Sequence, residues 1–158
     1  MRLTPAHITT ARLVLAPISE ATANAVVAGD VSTLIAGEGW PHADTLDGLR
    51  MALAHGAPGW LVTLEGVVIG DCGTHGQPEQ TGDVELGYGL AEPYRGRGYG
   101  TEIVIGLSSW LLGQGGVHRV VARRVAVENT PSRRALERAG FILESADERH
   151  TWYALTRP

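Results

Sequence analysis

The chain has 158 residues, 44% apolar and 19% charged, with a mean hydropathy of zero. That length buries an adequate core without disulfides or a structural metal, and the balance excludes a disordered chain and a membrane-embedded one. A net charge of −4 argues against a long polyanion as partner, because such partners are met by chains that are basic throughout.

No internal repeat, low-complexity tract or linker interrupts the chain, so residues 1–158 read as one domain. The start, Met1-Arg2-Leu3-Thr4-Pro5, lacks a signal peptide's apolar segment, which makes the expected location cytoplasmic. Residues 11–16 (ARLVLA), stopped by Pro17, predict a strand. Ser19 is a candidate N-cap for a helix through Ala21, Ala25 and Val26 that ends near Gly29, and a shorter helical piece follows to Ile35. Residues 37–42 (GEGWPH) form a loop, after which Asp44 or Thr45 would cap a helix containing Leu46, Leu49, Met51 and Leu53.

Glu65-Gly66, between the runs 60–64 and 67–71, reads as a tight hairpin. Cys72 lies in this apolar stretch and cannot pair within the chain; it reads as a small buried thiol without a catalytic role. A turn-rich stretch leads into a strand over 83–90. Next comes RGRGYG at 95–100, running directly into a helix over 101–114 whose Ile103, Leu107, Trp110 and Leu111 share one face. Residues 119–127 are β-branched and alternating, hence a strand. Asn129-Thr130-Pro131 opens a helix that Gly140 closes, and residues 141–144 and 150–156 would form a last strand pair. The order is mixed α/β, with a strand, glycine loop, helix and strand at its centre.

Charge is unevenly distributed around that loop. Residues 1–94 carry three arginines against eleven carboxylates, whereas residues 95–158 carry ten arginines against six. The basic half suits a discrete anionic ligand. All 13 basic residues are arginine; the planar fork suits phosphate, but the absence of lysine together with abundant Ala, Gly and Arg is equally the mark of a GC-rich genome and carries no weight on function. In the loop, Gly96, Gly98 and Gly100 free the backbone to turn several N–H groups toward one point. The following helix start adds unpaired donors and partial positive charge, and Arg95 and Arg97 supply arms. The same residues would also make a tight turn with solvated arginines. A Walker loop is excluded because the chain has no lysine, and G-x-G-x-x-G fails because Thr101 and Ile103 stand where its last glycine belongs. The spacing present is Arg95-x-x-Gly98-x-Gly100.

That motif, following Glu85-Leu86-Gly87-Tyr88-Gly89-Leu90, resembles the acetyl-CoA signature of the GNAT N-acetyltransferases. A second stretch, Asn129-Thr130-Pro131-Ser132 through Leu136 to Gly140-Phe141, is similar to that family's helix ending in Gly-Phe. The opening Thr10-Ala11-Arg12-Leu13-Val14-Leu15 and the element order look most like the ribosomal-protein N-terminal acetyltransferase (Rim-like) branch. The resemblance implies a single-domain α/β (α+β) GNAT-like fold. Its mixed, mostly antiparallel sheet would have about six or seven strands flanked by helices, splayed between two central parallel strands.

The resemblance also implies a function: acetyl-CoA-dependent transfer of an acetyl group to a primary amine, of a protein or peptide N-terminus or of a small molecule, by direct attack. Tyr88, Gly89 and Leu90 would offer backbone groups to pantetheine and the thioester carbonyl. Arg95, Gly96, Arg97, Gly98, Tyr99, Gly100 and Thr101 would surround the diphosphate. Asn129 would contact the pantetheine arm or cap its helix. Ser132 would stand near the sulfur or be a first-turn serine with a satisfied hydroxyl. Many members carry a tyrosine as proton donor where this chain has Leu136, which can donate nothing. Glu85 is the candidate base, with Glu38 and Glu148 in reserve. Glu38, Trp40, His42 and Asp47 fall where the family places acceptor-contacting segments.

Expected partners are thus acetyl-CoA and an amine, with no metal, nucleic acid or membrane; a homodimer is compatible with the sequence. The rival reading is a catalytically silent acyl-CoA sensor or interaction module, favoured by Leu136. A third, an Arg-Gly nucleic-acid binder, predicts steeply salt-dependent affinity.

Overall fold

A computed structural model describes residues 2–158. Eight strands form a sheet in the order β1-β2-β3-β4-β5-β6-β8-β7. They are β1 (Ile8–Thr9), β2 (Val14–Pro17), β3 (Gly59–Leu64), β4 (Val67–Thr74), β5 (Asp83–Leu90), β6 (Arg119–Ala126), β7 (Ile142–Ala146) and β8 (His150–Thr156). The helices are α1 (Glu20–Val27), α2 (Ala43–His55), α3 (Tyr99–Leu112) and α4 (Thr130–Arg138).

The sheet has one strand more than the upper expectation, because the chain before Arg12 adds the two-residue β1 against β2. The helical piece expected up to Ile35 is not there: Asp30 Oδ1 caps a turn by accepting from Ser32 N at 2.9 Å. The chain then runs extended, and Ala36 bridges Val68. Three of the five residues at 31–35 are β-branched (Val31, Thr33, Ile35), which weakens a short helix. Between β3 and β4, Glu65 and Gly66 both have positive φ, 50° and 82°, as a two-residue hairpin turn matched to strand twist requires.

Strand alternation sorts the apolar side chains onto two faces. One face packs Trp60, Val62, Ile69, Leu86 and Val120 against Ile103, Leu107 and Leu111 of α3 and Leu136 of α4. Trp60, fully buried, meets Trp110 edge-on at 5.2 Å. The other face packs Leu61, Val68 and Ala91 under Val26 of α1 and Leu49 of α2, with Trp40 among them.

Every neighbouring pair is antiparallel except β5 and β6, which run parallel. Their pairing covers only Asp83 with Arg119, Val84 with Val120 and Glu85 with Val121. Beyond Glu85 the two strands part. β5 goes on paired with β4 up to Leu90, while β6 goes on with β8 up to Ala126 through an irregularity between Ala122 and Val125, where Arg124 has φ of 56°. The closed end of this wedge is clasped by Arg119, which donates to both oxygens of Asp83 at 3.1 and 2.9 Å and to Glu144 at 2.6 Å.

Candidate active site

The glycine loop lies at the open end of the wedge. Gly96 and Gly98 have φ of 76° and 84°, a region costly for any residue with a Cβ. Gly98 is the N-cap of α3 and brings no capping side chain. The first intrahelical bond runs from Glu102 N to Gly98 O, so the N–H groups of Tyr99, Gly100 and Thr101 point out of the helix end together with the positive pole of its dipole. Gly100 keeps ordinary helical geometry; a Cβ there would stand 3.2 Å from Tyr88 Cε2. Arg95 folds back to donate to Leu90 O at 3.0 Å, while Arg97 stays exposed.

Arg12 braces this loop from behind. Its guanidinium bonds Glu102 at 2.8 Å and the Arg97 carbonyl at 3.1 Å, and lies over the Tyr99 ring at 4.3 Å. Glu102 also accepts from Thr10 Oγ1 and from Arg12 N. A helix terminus, left-handed glycines and two nearby arginines fit a diphosphate, and the widening gap beyond Glu85 fits an extended chain attached to it.

Backbone alternation sets what β5 offers to that gap. Glu85 O accepts from His75 N and Ala91 N donates to Ile69 O, both on the β4 side. Tyr88 and Leu90 therefore direct their backbone groups to the β6 side, where the pairing has ended. Gly89 turns its carbonyl toward Gly70 of β4.

Tyr88 and Ser132 meet across the wedge. Burial pushes the Tyr88 phenol up, and the neighbouring Ser132 hydroxyl pulls the other way. Asn129 is the N-cap of α4, its Oδ1 accepting from Ser132 N at 3.3 Å. Asn129 is thus a helix cap, and the Ser132 hydroxyl lies next to Tyr88. Leu136, 1% exposed, belongs to the core. Arg133 is occupied with Tyr153 Oη and Val127 O at 3.1 and 3.0 Å.

The other face of β5 carries Glu85, Gly87 and Gly89, and there the structure brings together groups that the sequence did not join. Glu85 Oε2 accepts the Arg123 backbone N–H at 2.9 Å, and Oε1 lies 3.3 Å from His75 Nδ1. Burial raises the Glu85 carboxyl, but His75 and the Arg123 N–H outweigh it and hold the group below its usual range. His75 is raised, chiefly by its bond to Glu85 and against some burial. With Nδ1 turned to the carboxylate, His75 Nε2 lies over Gly87, 2.7 Å from where a Cβ would stand.

His42 lies over Gly89 in the same way, at 3.4 Å from Cε1 and 3.6 Å from Nε2 to the position a Cβ would take. Beside it, Asp71, opposite Gly89 on β4, accepts from Trp40 Nε1 at 3.0 Å and Thr45 Oγ1 at 2.7 Å. Burial raises the Asp71 carboxyl despite both bonds. Trp40 is 4% exposed and its ring is core. Glu38, Asp47 and Glu148 are exposed, and Asp47 pairs with Arg50 at 3.4 Å. Cys72 is buried and free, its thiol pushed well up by burial and then by Asp71, in keeping with an inert role. No described helix is long and apolar enough to cross a membrane.

An acetyltransferase (GNAT) domain model matches residues 12–142. The chain is 28% identical over 130 residues to the uncharacterized N-acetyltransferase YjdG of Bacillus subtilis (strain 168), covering 75% of this chain and 76% of that one. Its fold is similar to that of a GNAT-family acetyltransferase from Bacillus anthracis, with a TM-score of 0.71 at 20% identity over 96% of this chain and 99% of that one. It is similar too to Mycobacterium smegmatis RimJ in complex with CoA-disulfide, with a TM-score of 0.69 at 23% identity over 96% and 88% of the two chains.

Proposed function

Because this chain belongs to the GNAT acetyltransferase family, an N-acetyltransferase family that uses acetyl-CoA, we propose that its acceptor is a primary amine, of a protein or peptide N-terminus or of a small molecule. The observation that carries this reading is the wedge between β5 and β6, opening past Glu85 onto a helix end without a capping side chain. Residues 95–101 hold the diphosphate, mainly through N–H groups at the start of α3. Tyr88 and Leu90 bind the pantetheine arm along the unpaired edge of β5.

Acetyl-CoA supplies an activated acyl carbon, to which the amine nitrogen bonds as the carbon–sulfur bond breaks. An alkylammonium is mostly protonated at pH 7 and must lose a proton first. Glu85, already engaged by two donors, serves as the orienting carboxylate. It holds His75 so that the ring's Nε2, facing the glycine-lined side of β5, takes the amine's proton directly or through a water. Ser132 and Tyr88, whose hydroxyls are neighbours, face the departing sulfur from α4 and β5, and their hydroxyls satisfy or protonate the thiolate. This pair stands in for the missing tyrosine at Leu136. The acidic composition of residues 1–94 favours approach of a cationic acceptor from the α1–α2 side.

The test is release of free CoA thiol across a panel of peptides with free N-termini, amino acids, polyamines and aminoglycosides. Saturable release with at least one amine supports the proposal. Thermal stabilisation by acetyl-CoA without turnover on the whole panel would favour the silent acyl-CoA sensor instead.

A further inference from the structure

His42 has one ring nitrogen in use and the other orphaned. It is the N-cap of α2, and its Nδ1 accepts the Thr45 amide N–H at 3.4 Å while Thr45 Oγ1 accepts His42 N–H at the same distance. Thr45 is itself tied to half-buried Asp71, so ring, cap and carboxylate form one network that fixes the imidazole plane. A ring nitrogen that accepts a hydrogen bond carries no proton, which in the neutral tautomer puts the proton on Nε2. That Nε2–H is buried and has no hydrogen-bond partner among the described residues. Buried donors are normally paired, and an exception needs a reason.

The surroundings supply one. The ring rests on Gly89, where a Cβ would stand 3.4 Å from Cε1, on the part of β5 whose far edge no longer pairs with β6. Two residues earlier on the same face, His75 rests on Gly87. The two imidazoles present opposite chemistry. His75, with Nδ1 turned to Glu85, offers a lone pair at Nε2; His42 offers a proton.

We propose that His42 Nε2–H donates a hydrogen bond to a carbonyl oxygen of the ligand bound at Gly89, either that of the acyl thioester or one adjacent to the acceptor's amine. The inference rests on the acetyl-transfer reading above. His42 gains and loses no proton: its donor meets an oxygen that becomes more negative as the nitrogen–carbon bond forms and the carbon–sulfur bond breaks, and a fixed neutral donor stabilises that charge without reorganising.

His42→Asn separates the two roles, since asparagine caps a helix well but is too short to reach Gly89. His42→Gln keeps a donor at longer reach. Calorimetry on acetyl-CoA and on CoA, with turnover on simple alkylamines and on amino-acid amides, reads the result. If the thioester supplies the oxygen, His42→Asn lowers the affinity for acetyl-CoA relative to CoA and lowers kcat about tenfold or more by the same factor for every amine, with partial recovery in His42→Gln. If the acceptor supplies it, KM rises for the amino-acid amides alone. Should His42→Asn fail to fold, Gly89→Ala, which pushes a methyl against the intact ring, is expected to lower the same affinity ratio. A variant that matches the wild type in both measurements overturns this inference alone. Wild-type protein that neither binds acetyl-CoA nor releases CoA overturns the acetyl-transfer reading and this one with it.

Discussion

The Arg12 guanidinium donates to the Arg97 carbonyl at 3.1 Å, gripping the glycine loop from a point 85 residues earlier in the chain. The same side chain bonds Glu102 in the first turn of α3, so loop and helix end are held in one register. Arg12→Ala should weaken acetyl-CoA binding about fivefold, the loss of one or two partly exposed hydrogen bonds. Arg12→Lys should recover little, because an ammonium cannot bridge both partners as the planar fork does. Calorimetric titration checks both; unchanged affinity in Arg12→Ala would show that the loop keeps its shape unaided.

Gly98→Val places a β-branched residue at a φ of 84°, a strain of about 1–2 kcal/mol, at the N–H cluster itself. Acetyl-CoA affinity should fall at least tenfold. Gly100→Val leaves φ undisturbed but drives side-chain atoms into Tyr88, already 3.2 Å from a Cβ at that position. It should therefore harm turnover as well as binding. Equal affinity in both variants, by the same titration, would remove the diphosphate from this loop.

Ser132→Ala removes the hydroxyl next to Tyr88 while Asn129 still caps α4 through the backbone N–H of residue 132. The expected outcome is a fall in kcat of about tenfold with little change in KM. Tyr88→Phe should act similarly, and the double variant should be no worse than either single one, as for two members of one unit. Steady-state kinetics of the three variants tests this.

The His75–Glu85 pair gives a pH dependence of defined sign. Glu85 is lowered from 4.5, so its stabilising contribution is present above that value and is lost as pH falls through the lower folded-state one. His75 is raised from 6.5, so its contribution is complete below 6.5 and is lost as pH rises through the higher folded-state value. The pair is strongest between these limits, and its effect on stability is small because His75 is largely exposed and screened. For the rate the sign reverses: the base must be neutral, so activity rises with pH through the raised His75 value. Glu85→Gln should move that limb to lower pH, and His75→Gln should flatten it. A limb unmoved in both variants would place the base elsewhere.

The side of the site proposed for the cofactor was readable from local pattern. The 83–90 strand, the glycine loop, the α3 start and the Asn129 cap are each set by residues adjacent in sequence, and turn chemistry at Gly96 and Gly98 leaves little choice. The side proposed for the acceptor was not. His75 and Glu85 meet only because the register places Thr74 opposite Leu86 across β4 and β5, which the turn-rich connection at 75–82 does not reveal. His42 escaped as a cap because Asp44 and Thr45 are more usual ones. In the fold Thr45 is the third helical residue and its hydroxyl is directed to Asp71. Trp40 fell to the core and Leu136 likewise, a choice between burial and ligand contact that periodicity cannot make.

A sheet joined at its middle by so short a parallel stretch divides into two plates. Strands β1 to β5 form one plate, β6 to β8 the other, and the Arg119–Asp83 clasp sits at their joint. A guest lodged between the plates becomes the missing rungs of the ladder, wiring one half to the other. Amide exchange in β5 and in β6 should then slow together on saturation with CoA, although the guest touches each strand on only one edge.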